Sequence, residues 1–164
     1  MTTTKVEIER FSVRSSKSFE ATVAALKASV GQPDMVEFRK AMTSVTSLAE
    51  LERTVQRHLG RSGLMLFMEF DLGAVLRLES GRKTPKIVRL VIGNPLIMKE
   101  MVKHVADAGS YAPVTILADE RPDGVHVSYD RIASLLAPYG NPKALAVARE
   151  LDAKIETLLA ECTS

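Results

Sequence analysis

Apolar and polar residues follow two different periods along the chain, and the changes of period divide it into elements. Positions 6, 8, 11 and 13 are apolar among polar neighbours, a nearly period-2 pattern with one slip that predicts a half-buried strand. Positions 19, 23, 26 and 30 are apolar at helical spacing, between Ser18 and Gly31. We therefore expect a helix that has Ser18 as its N-cap and ends before Gly31.

Two short helices are predicted next. Residues 33–43 predict one that is opened by Pro33 in its first turn. The four residues from Ser47 to Glu50 form a capping box, and positions 48, 51, 55 and 59 give the helix that follows one apolar face. The segment 33–59 is thus expected to be helical.

Strand patterns dominate the middle of the chain. Residues 64–70 and 74–78 are largely apolar, and a polar turn at 79–85 separates them from another apolar run at 87–92. This arrangement predicts a pair of strands around a basic loop. The run at 87–92 is nearly all apolar, which is typical of a strand covered on both faces, so we expect it to be central in the sheet.

The last third of the chain predicts a hairpin between helices. Residues 114–118 and 125–129 flank an Asp123-Gly124 turn, where glycine supplies the positive φ that such a turn needs. A helix is expected at 96–108, and apolar positions at steps of three and four predict a long amphipathic helix from Pro142 to Cys162. Strands and helices occur in separate runs, which indicates the α+β class in one domain over 1–164.

Composition excludes several classes of function. The 164 residues include 22 Lys and Arg against 20 Asp and Glu, and a net charge of +2 argues against a nucleic-acid partner. Aromatic residues make up 5% and Trp is absent, which disfavours a base-stacking surface. The single cysteine, Cys162, excludes an internal disulfide and any multi-cysteine metal site. No signal-like or membrane-spanning apolar run occurs, so we expect a cytoplasmic protein without membrane contact.

The small net charge hides a polarity. Five basic residues fall in one segment: Arg77, Arg82, Lys83, Lys86 and Arg89. Four acidic residues bracket the later hairpin: Asp119, Glu120, Asp123 and Asp130. Basic residues at a hairpin tip commonly serve solvation and edge protection. The polarity also favours self-association or a small anion over nucleic acid as the partner.

The tripeptide Gly93-Asn94-Pro95 is the most distinctive local feature. It follows the apolar run and precedes a predicted helix, so Asn94 is expected to be the N-cap and Pro95 the first helical residue. The same tripeptide returns at 140–142, before the terminal helix. Capping explains both, while the amides of a helix N-terminus preceded by glycine could also bind an anion. Neither copy matches a phosphate loop or a dinucleotide fingerprint.

A methionine set suggests where a ligand could bind. Four methionines lie in predicted core elements: Met65, Met68, Met98 and Met101. Such side chains either fill irregular space in a core or line an adaptable pocket. We predict a ligand site formed by these methionines with Gly93, Asn94 and Tyr129, which takes a small, mainly apolar molecule with an anionic end. No cofactor and no metal are predicted.

An enzyme is the main alternative. Acid/base groups could come from Asp71, from His104 or His126, and from Tyr129. Glu69 and Asp71 lie two apart and so on one face of a strand, where an inward orientation would raise the pKa of one carboxyl and an outward one would only favour solubility. No Gly-x-Ser-x-Gly elbow surrounds a serine, and the predicted role of Cys162 is that of a small apolar residue.

Metal binding has little support from the histidines. No two of the three stand at the i, i+4 spacing of a helical metal pair. A site assembled from His104, His126 and either Asp119 or Glu120 stays open at this point, against the simpler interpretation of structural histidines.

The order of motifs resembles a known family. The residues that carry the resemblance are 90–95, 112–120 and 123–129 together with the helical tail, and residues 11–26 are similar to the start of that family. They are typical of the domain of unknown function 302 family, with the resemblance strongest over 63–160 and a helical insertion at about 33–59. One position departs: many members have a histidine after the equivalent of Asp71, where this chain has Leu72. Any role that depends on that histidine is therefore doubtful here.

The resemblance implies a fold and an oligomeric state, but it implies no activity. It implies a curved, mainly antiparallel sheet of about five strands packed against helices, in the order β-α-(α-α)-β-β-α-β-β-α, often paired as a homodimer. Our leading hypothesis is a non-enzymatic module that binds or senses a small ligand as a homodimer. The alternatives are the enzyme described above and a homodimeric interaction protein that pairs through its terminal helix or a sheet edge.

Overall fold

The structure is a computed structural model that describes residues 1, 3, 5–80 and 84–164. Its centre is a sheet of five strands in the spatial order β1-β5-β4-β3-β2, with every neighbouring pair antiparallel. The strands are β1 (Arg10–Ser15), β2 (Met65–Asp71), β3 (Ile87–Gly93), β4 (Val114–Arg121) and β5 (Gly124–Asp130).

Helices connect and cover these strands. They are α1 (Phe19–Ser29), α2 (Met35–Thr43), α3 (Leu48–Gln56), α4 (Leu72–Ser80), α5 (Pro95–Val102), α6 (Ile132–Leu136) and α7 (Pro142–Thr163). Short 3₁₀ helices occupy Ala106–Ser110 and Ala137–Tyr139. The α+β class and the five-stranded antiparallel sheet are confirmed.

Three predicted helix starts, those of α1, α5 and α7, are confirmed by their capping bonds. The hydroxyl of Ser18 accepts from the amide of Ala21 at 3.2 Å, at the start of α1. The side-chain oxygen of Asn94 accepts from the amide of Leu96 at 2.8 Å, at the start of α5. Asn141 caps α7 in the same way. Each cap satisfies a helical amide that has no partner within its own helix.

The prediction of a strand at 74–78 is wrong, because these residues lie in α4. The carboxylate of Asp71 starts this helix: it accepts from the amide of Ala74 at 2.9 Å and from the guanidinium of Arg77 at 2.7 Å. A short apolar run does not distinguish a strand from a helix by periodicity. Arg82 and Lys83, which were assigned to the basic loop, lie outside the described residues.

Several boundaries also differ from the predictions. Strand β1 begins at Arg10, and Ile8 before it is 52% exposed. Helix α2 begins after Pro33, with Asp34 as its N-cap. Helix α5 ends at Val102, and the predicted helix 96–108 continues as a turn at 103–104 and a 3₁₀ helix from Ala106, while α6 was not predicted.

The sheet has one face covered by helices. In β3, Val88, Leu90 and Ile92 are buried towards α1, α5 and α7, while Arg89 on the opposite face is exposed and Val91 is half-buried. The prediction that this strand is covered on both faces is therefore wrong, although β3 is an internal strand as expected. We call the face that carries Arg89 the open face.

The terminal helix packs on its own sheet. Its apolar positions Ala144, Ala148, Leu151, Ile155 and Leu158 are all buried in the main core. This side of α7 is therefore occupied within the chain and is not available to a second copy. A smaller core cluster of Phe38, Val55 and Met65 joins α2 and α3 to the start of β2.

Candidate functional site

A small pocket lies where β3 turns into α5. It has a volume of about 120 Å³ and an apolar lining of Phe67, Gly93, Asn94, Pro95, Ile97, Met98, Met101, Ala112, Pro113, Val114 and Leu151. No charged side chain belongs to this lining. We call it the apolar pocket.

Gly93 helps to keep the apolar pocket open. A methyl group at this position would come within 3.2 Å of the Cβ of Pro113 and 3.4 Å of the ring of Phe67. Glycine at the end of β3 therefore leaves the space that any other residue would begin to fill. The next residue, Asn94, directs the chain away from the sheet by capping α5.

The polar groups of Asn94 are both used inside the protein. Its oxygen caps α5, and its nitrogen donates to the carbonyl oxygen of Gly63 at 3.0 Å. Asn94 thus joins the loop before β2 to the start of α5 and positions Met98 and Met101 on the helix that follows. The amide therefore contributes structure to the mouth of the apolar pocket.

The structure brings together four of the seven residues that the sequence assigned to a ligand site. Gly93, Asn94, Met98 and Met101 line the apolar pocket, and the other three do not. Met65 is fully buried in the smaller cluster, Met68 is 44% exposed on the open face, and Tyr129 borders a different cavity. The remaining lining, above all Phe67, Pro113 and Leu151, comes from distant segments that no local motif marks.

Tyr129 belongs to a buried polar cluster. Its hydroxyl donates to Asp152 at 2.5 Å, and the same carboxylate accepts from the amides of Ile132 at 2.8 Å and Ala133 at 3.0 Å. Asp152 is only 5% exposed. From α7, this carboxylate caps the start of α6, whose own N-cap residue, Arg131, makes no side-chain capping bond. Burial, reinforced by the adjacent carboxylate, raises the pKa of Tyr129 well above its usual range.

The groups proposed for acid/base chemistry do not meet. Asp71 is paired with Arg77, whose hydrogen bond lowers the pKa of that carboxyl. His126 contacts Asp123 at 3.0 Å in the hairpin between β4 and β5, while Tyr129 is committed to Asp152. Of the five cavities described, none is lined by two of the proposed groups. Glu69, which shares a strand face with Asp71, pairs with Lys27 at 2.5 Å.

The histidines and the cysteine have structural surroundings. Within the described part of the chain, no three His, Cys, Asp or Glu side chains are placed to hold a metal ion together. The ring of His58 bonds from Nδ1 to the carbonyl oxygen of Thr54 at 2.7 Å and meets the ring of Phe38 edge-on. Cys162 is buried on α7, with its sulfur 3.4 Å from the hydroxyl of Ser29.

A second cavity lies on the open face of the sheet, with a volume of about 340 Å³. Its floor and walls are formed by Arg10, Arg89, Ser110, Tyr111, Pro113, Val114, Thr115, Leu117, Ser128, Tyr129, Asp130, Ile132 and Leu135. We call it the open-face cavity. It shares Pro113 and Val114 with the apolar pocket, so the start of β4 separates the two.

The charge polarity seen in the sequence is largely neutralised within the chain. Among the described members of the basic segment, Arg77 pairs with Asp71, and Lys86 pairs with Glu20 and faces Glu120 at 3.8 Å. The acidic residues around the hairpin are paired as well, for example Asp119 with Arg121 and Asp130 with Arg10.

Arg89 is the exception in the described part of this segment. It forms no ion pair with a described carboxylate, and its guanidinium lies 4.6 Å from the ring centre of Phe70.

Comparison with known proteins gives the class of fold first. A crystal structure of an uncharacterised conserved DUF302 protein from Bacillus stearothermophilus has a similar fold, with a TM-score of 0.65 at 11% identity, over 93% of this chain and 97% of that one. At this identity the similarity shows the fold alone.

The family follows from the sequence. The family described as domain of unknown function DUF302 matches residues 40–162, which is more than half of the chain, so the protein belongs to this family. The resemblance inferred from the motifs is confirmed. No curated protein matches the chain. Among the described residues, no helix combines the length and the apolar character that crossing a bilayer requires.

Proposed function

We propose that this protein is a non-enzymatic binding module that takes a small apolar molecule in the apolar pocket. The observation that carries the proposal is an uncharged cavity lined by Met98, Met101 and Phe67 at the junction of β3 and α5. Ligand sites are commonly concave, mostly apolar and placed between elements in this way. Methionine side chains adapt their shape to a ligand at little cost.

The volume limits the size of the ligand. A cavity of about 150 Å³ in a protein core can hold benzene, and the apolar pocket has about 120 Å³. The proposed ligand is therefore a single small ring or a short branched chain. The lining contains no cationic side chain, so this pocket supports the apolar part of the ligand expected from the sequence and not its anionic end.

Titration of isotopically labelled protein with benzene and toluene tests this function. We expect saturable chemical-shift changes at the amides of Gly93, Met98 and Met101, since these residues line the pocket. Gly93→Ala should abolish the changes because its methyl group enters the space beside Pro113 and Phe67. Gly109→Ala is the matched control, since a methyl group there meets only a Val102 methyl, at 3.8 Å.

Two results would count against this function. One is a linear, unsaturated response to both ligands in the wild-type protein. The other is binding by Gly93→Ala with wild-type affinity, which would place the ligand elsewhere.

We infer that the module acts as a homodimer through α4. This helix exposes Val75 at 66%, Leu78 at 89% and Leu76 at 38%, and an unpartnered apolar helix face is typical of an interaction surface. A second copy is the partner we favour, because the charged neighbours Asp71 and Arg77 neutralise each other within the chain. These two residues therefore add no net charge where two such faces meet.

Sedimentation velocity at several protein concentrations tests the dimer. We expect Val75→Glu combined with Leu78→Glu to produce a monomer at concentrations where the wild-type protein is dimeric. Val36→Glu is the control, because Val36 on α2 is also exposed, at 60%. A wild-type monomer at high micromolar concentration, or a dimer that survives the α4 substitutions, would contradict this assignment.

A further inference from the structure

We propose that the open-face cavity is a second binding site, for a small monocarboxylate that has an apolar body and a hydrogen-bonding group at its far end. The site is independent of the apolar pocket and lies on the opposite face of the sheet. Its volume of about 340 Å³ lies within the range of small-molecule sites, which begins at roughly 300 Å³.

The register of the sheet places the relevant side chains in one row. Ser128 on β5 pairs with Leu117 on β4, which pairs with Arg89 on β3, which pairs with Phe70 on β2. Paired residues project from the same face of a sheet. Residues that carry a hydroxyl, an apolar side chain and a guanidinium therefore follow one another across three strands, and the backbones of the outer two strands are about 10 Å apart.

Arg89 can bind the carboxylate. It forms no ion pair with a described carboxylate, and contact with the ring of Phe70, 4.6 Å from the guanidinium carbon, restricts its orientation. Stacking on an aromatic ring leaves the edge of a guanidinium free to donate paired hydrogen bonds. The other arginine of the cavity, Arg10, is already occupied by Asp130 at 2.6 and 2.9 Å. That pairing also neutralises the carboxylate that would otherwise repel an anion.

Ser128 can bind the far end of the ligand. The residue is only 6% exposed, and its hydroxyl makes no hydrogen bond within the described part of the chain. A hydroxyl that opens into a cavity and has no protein partner can bond to water or to a ligand. Because Ser128 lines the open-face cavity, a bound molecule can supply that partner. Leu117, between Ser128 and Arg89, offers an apolar surface for the body of the ligand.

A titration with 4-hydroxybenzoate tests the site, because this molecule carries a carboxylate, a ring and a hydroxyl in line. We expect saturable shifts of the Ser128, Leu117 and Arg89 amides in spectra of the labelled wild-type protein. Arg89→Gln should weaken binding by at least about tenfold, since it removes charge-assisted hydrogen bonds. Arg89→Lys keeps the charge without the paired donors, so its affinity for 4-hydroxybenzoate should lie between those of the wild-type protein and Arg89→Gln.

Two further variants separate the role of the ligand hydroxyl from that of its carboxylate. Ser128→Ala should remove the preference of the protein for 4-hydroxybenzoate over benzoate and leave benzoate binding unchanged. Arg14→Gln is the matched control, because Arg14 on β1 also lies on the open face but outside the cavity. Its guanidinium donates a hydrogen bond to the carbonyl oxygen of Asp123 at 3.5 Å. This variant should bind both acids with wild-type affinity.

Three outcomes would overturn the proposal. Wild-type affinity in Arg89→Gln would show that the carboxylate binds elsewhere. Phenol that binds as tightly as 4-hydroxybenzoate would show that the site does not recognise the anion. Absence of saturation up to about 10 mM acid, with open-face signals that instead broaden as protein concentration rises, would assign this face to a second copy of the chain.

Discussion

The two faces of the sheet differ sharply although the same strands build both. On the covered face, the row Tyr129, Ile116 and Leu90 is at most 2% exposed. On the open face, the next row along the strands holds Ser128, Leu117 and Arg89. Successive side chains of a strand point in opposite directions, so adjacent residues of one strand lie in the core and in the open-face cavity respectively. Stability and recognition can therefore be altered separately in this protein.

The buried polar groups of the two faces show the same contrast. Asp152, on the helix side, accepts three hydrogen bonds and joins α7 to α6. Ser128, on the open face, has no hydrogen-bond partner among the described residues. A satisfied buried carboxylate stabilises the fold as long as its donors stay in place, while a hydroxyl that faces a cavity is available to a ligand. Substitutions on the two faces should therefore differ in how strongly they change stability.

The largest effect is expected for Asp152→Ala. The substitution leaves the hydroxyl of Tyr129 and the amides of Ile132 and Ala133 without an acceptor, and we expect a loss of about 3–5 kcal/mol in the free energy of unfolding. Urea denaturation measures it. Glu150→Ala, at an exposed position of the same helix, should change stability by less than about 0.5 kcal/mol. A loss below about 1 kcal/mol for Asp152→Ala would mean that the cluster does not stabilise the fold.

Adjacent residues of β4 should respond differently to truncation. Ile116 is fully buried on the covered face, so Ile116→Ala is expected to cost about 2–5 kcal/mol through the lost contacts and the cavity left behind. Leu117 is half-buried on the open face, and Leu117→Ala should cost less than about 1.5 kcal/mol. Equal losses, measured by urea denaturation, would mean that the open face is covered in solution.

Tyr129→Phe should cost about 1–3 kcal/mol at neutral pH, because Asp152 loses one donor and keeps two. The raised pKa of Tyr129 adds a dependence on pH. The folded state retains the phenol proton after the unfolded state loses it, so this contribution is complete below about pH 10 and declines as pH rises further. Denaturation between pH 9 and 11 should show a decline in the wild-type protein that is shallower in Tyr129→Phe. If stability declined equally with pH in both proteins, the phenol of Tyr129 would not be the cause of the decline.

The smallest effect is expected for Asp130→Asn on the open face. This substitution weakens the exposed pair with Arg10, and we expect a loss of at most about 1 kcal/mol that decreases in high salt. Arg10 lowers the pKa of Asp130, so the contribution is present above about pH 4 and is lost as pH falls below it. Thermal melts in low and high salt at pH 7 measure the effect. A loss as large as that of Asp152→Ala would remove the contrast between the two faces.

Local patterns predicted the features that depend on neighbours in sequence. The caps at Ser18, Asn94 and Asn141 and the glycine turn at Gly124 are confirmed, because a cap or a turn needs only a few consecutive residues. The mistaken strand at 74–78 has a local cause as well. Asp71 caps α4 and pairs with Arg77, a helix-start signal hidden within an apolar run.

The candidate site was predictable only in part. Gly93, Asn94, Met98 and Met101 share the apolar pocket because they follow one another through the turn into α5. Met65 and Met68 do not join them, since the register of β2 and the smaller core cluster direct them elsewhere. The predicted charge polarity is largely cancelled by ion pairs, such as that between Lys86 and Glu20, which are far apart in sequence.

Consecutive residues were enough to predict the α+β class, the helix starts at Ser18, Asn94 and Asn141 and the family, because periodicity, caps and motif order depend on neighbours in sequence. Only the tertiary structure decided which face of the sheet is covered and which side chains meet in each cavity. The physical reason is that strand register and helix packing join residues distant in sequence. Ser128 and Arg89 lie in one row only because β4 lies between β5 and β3.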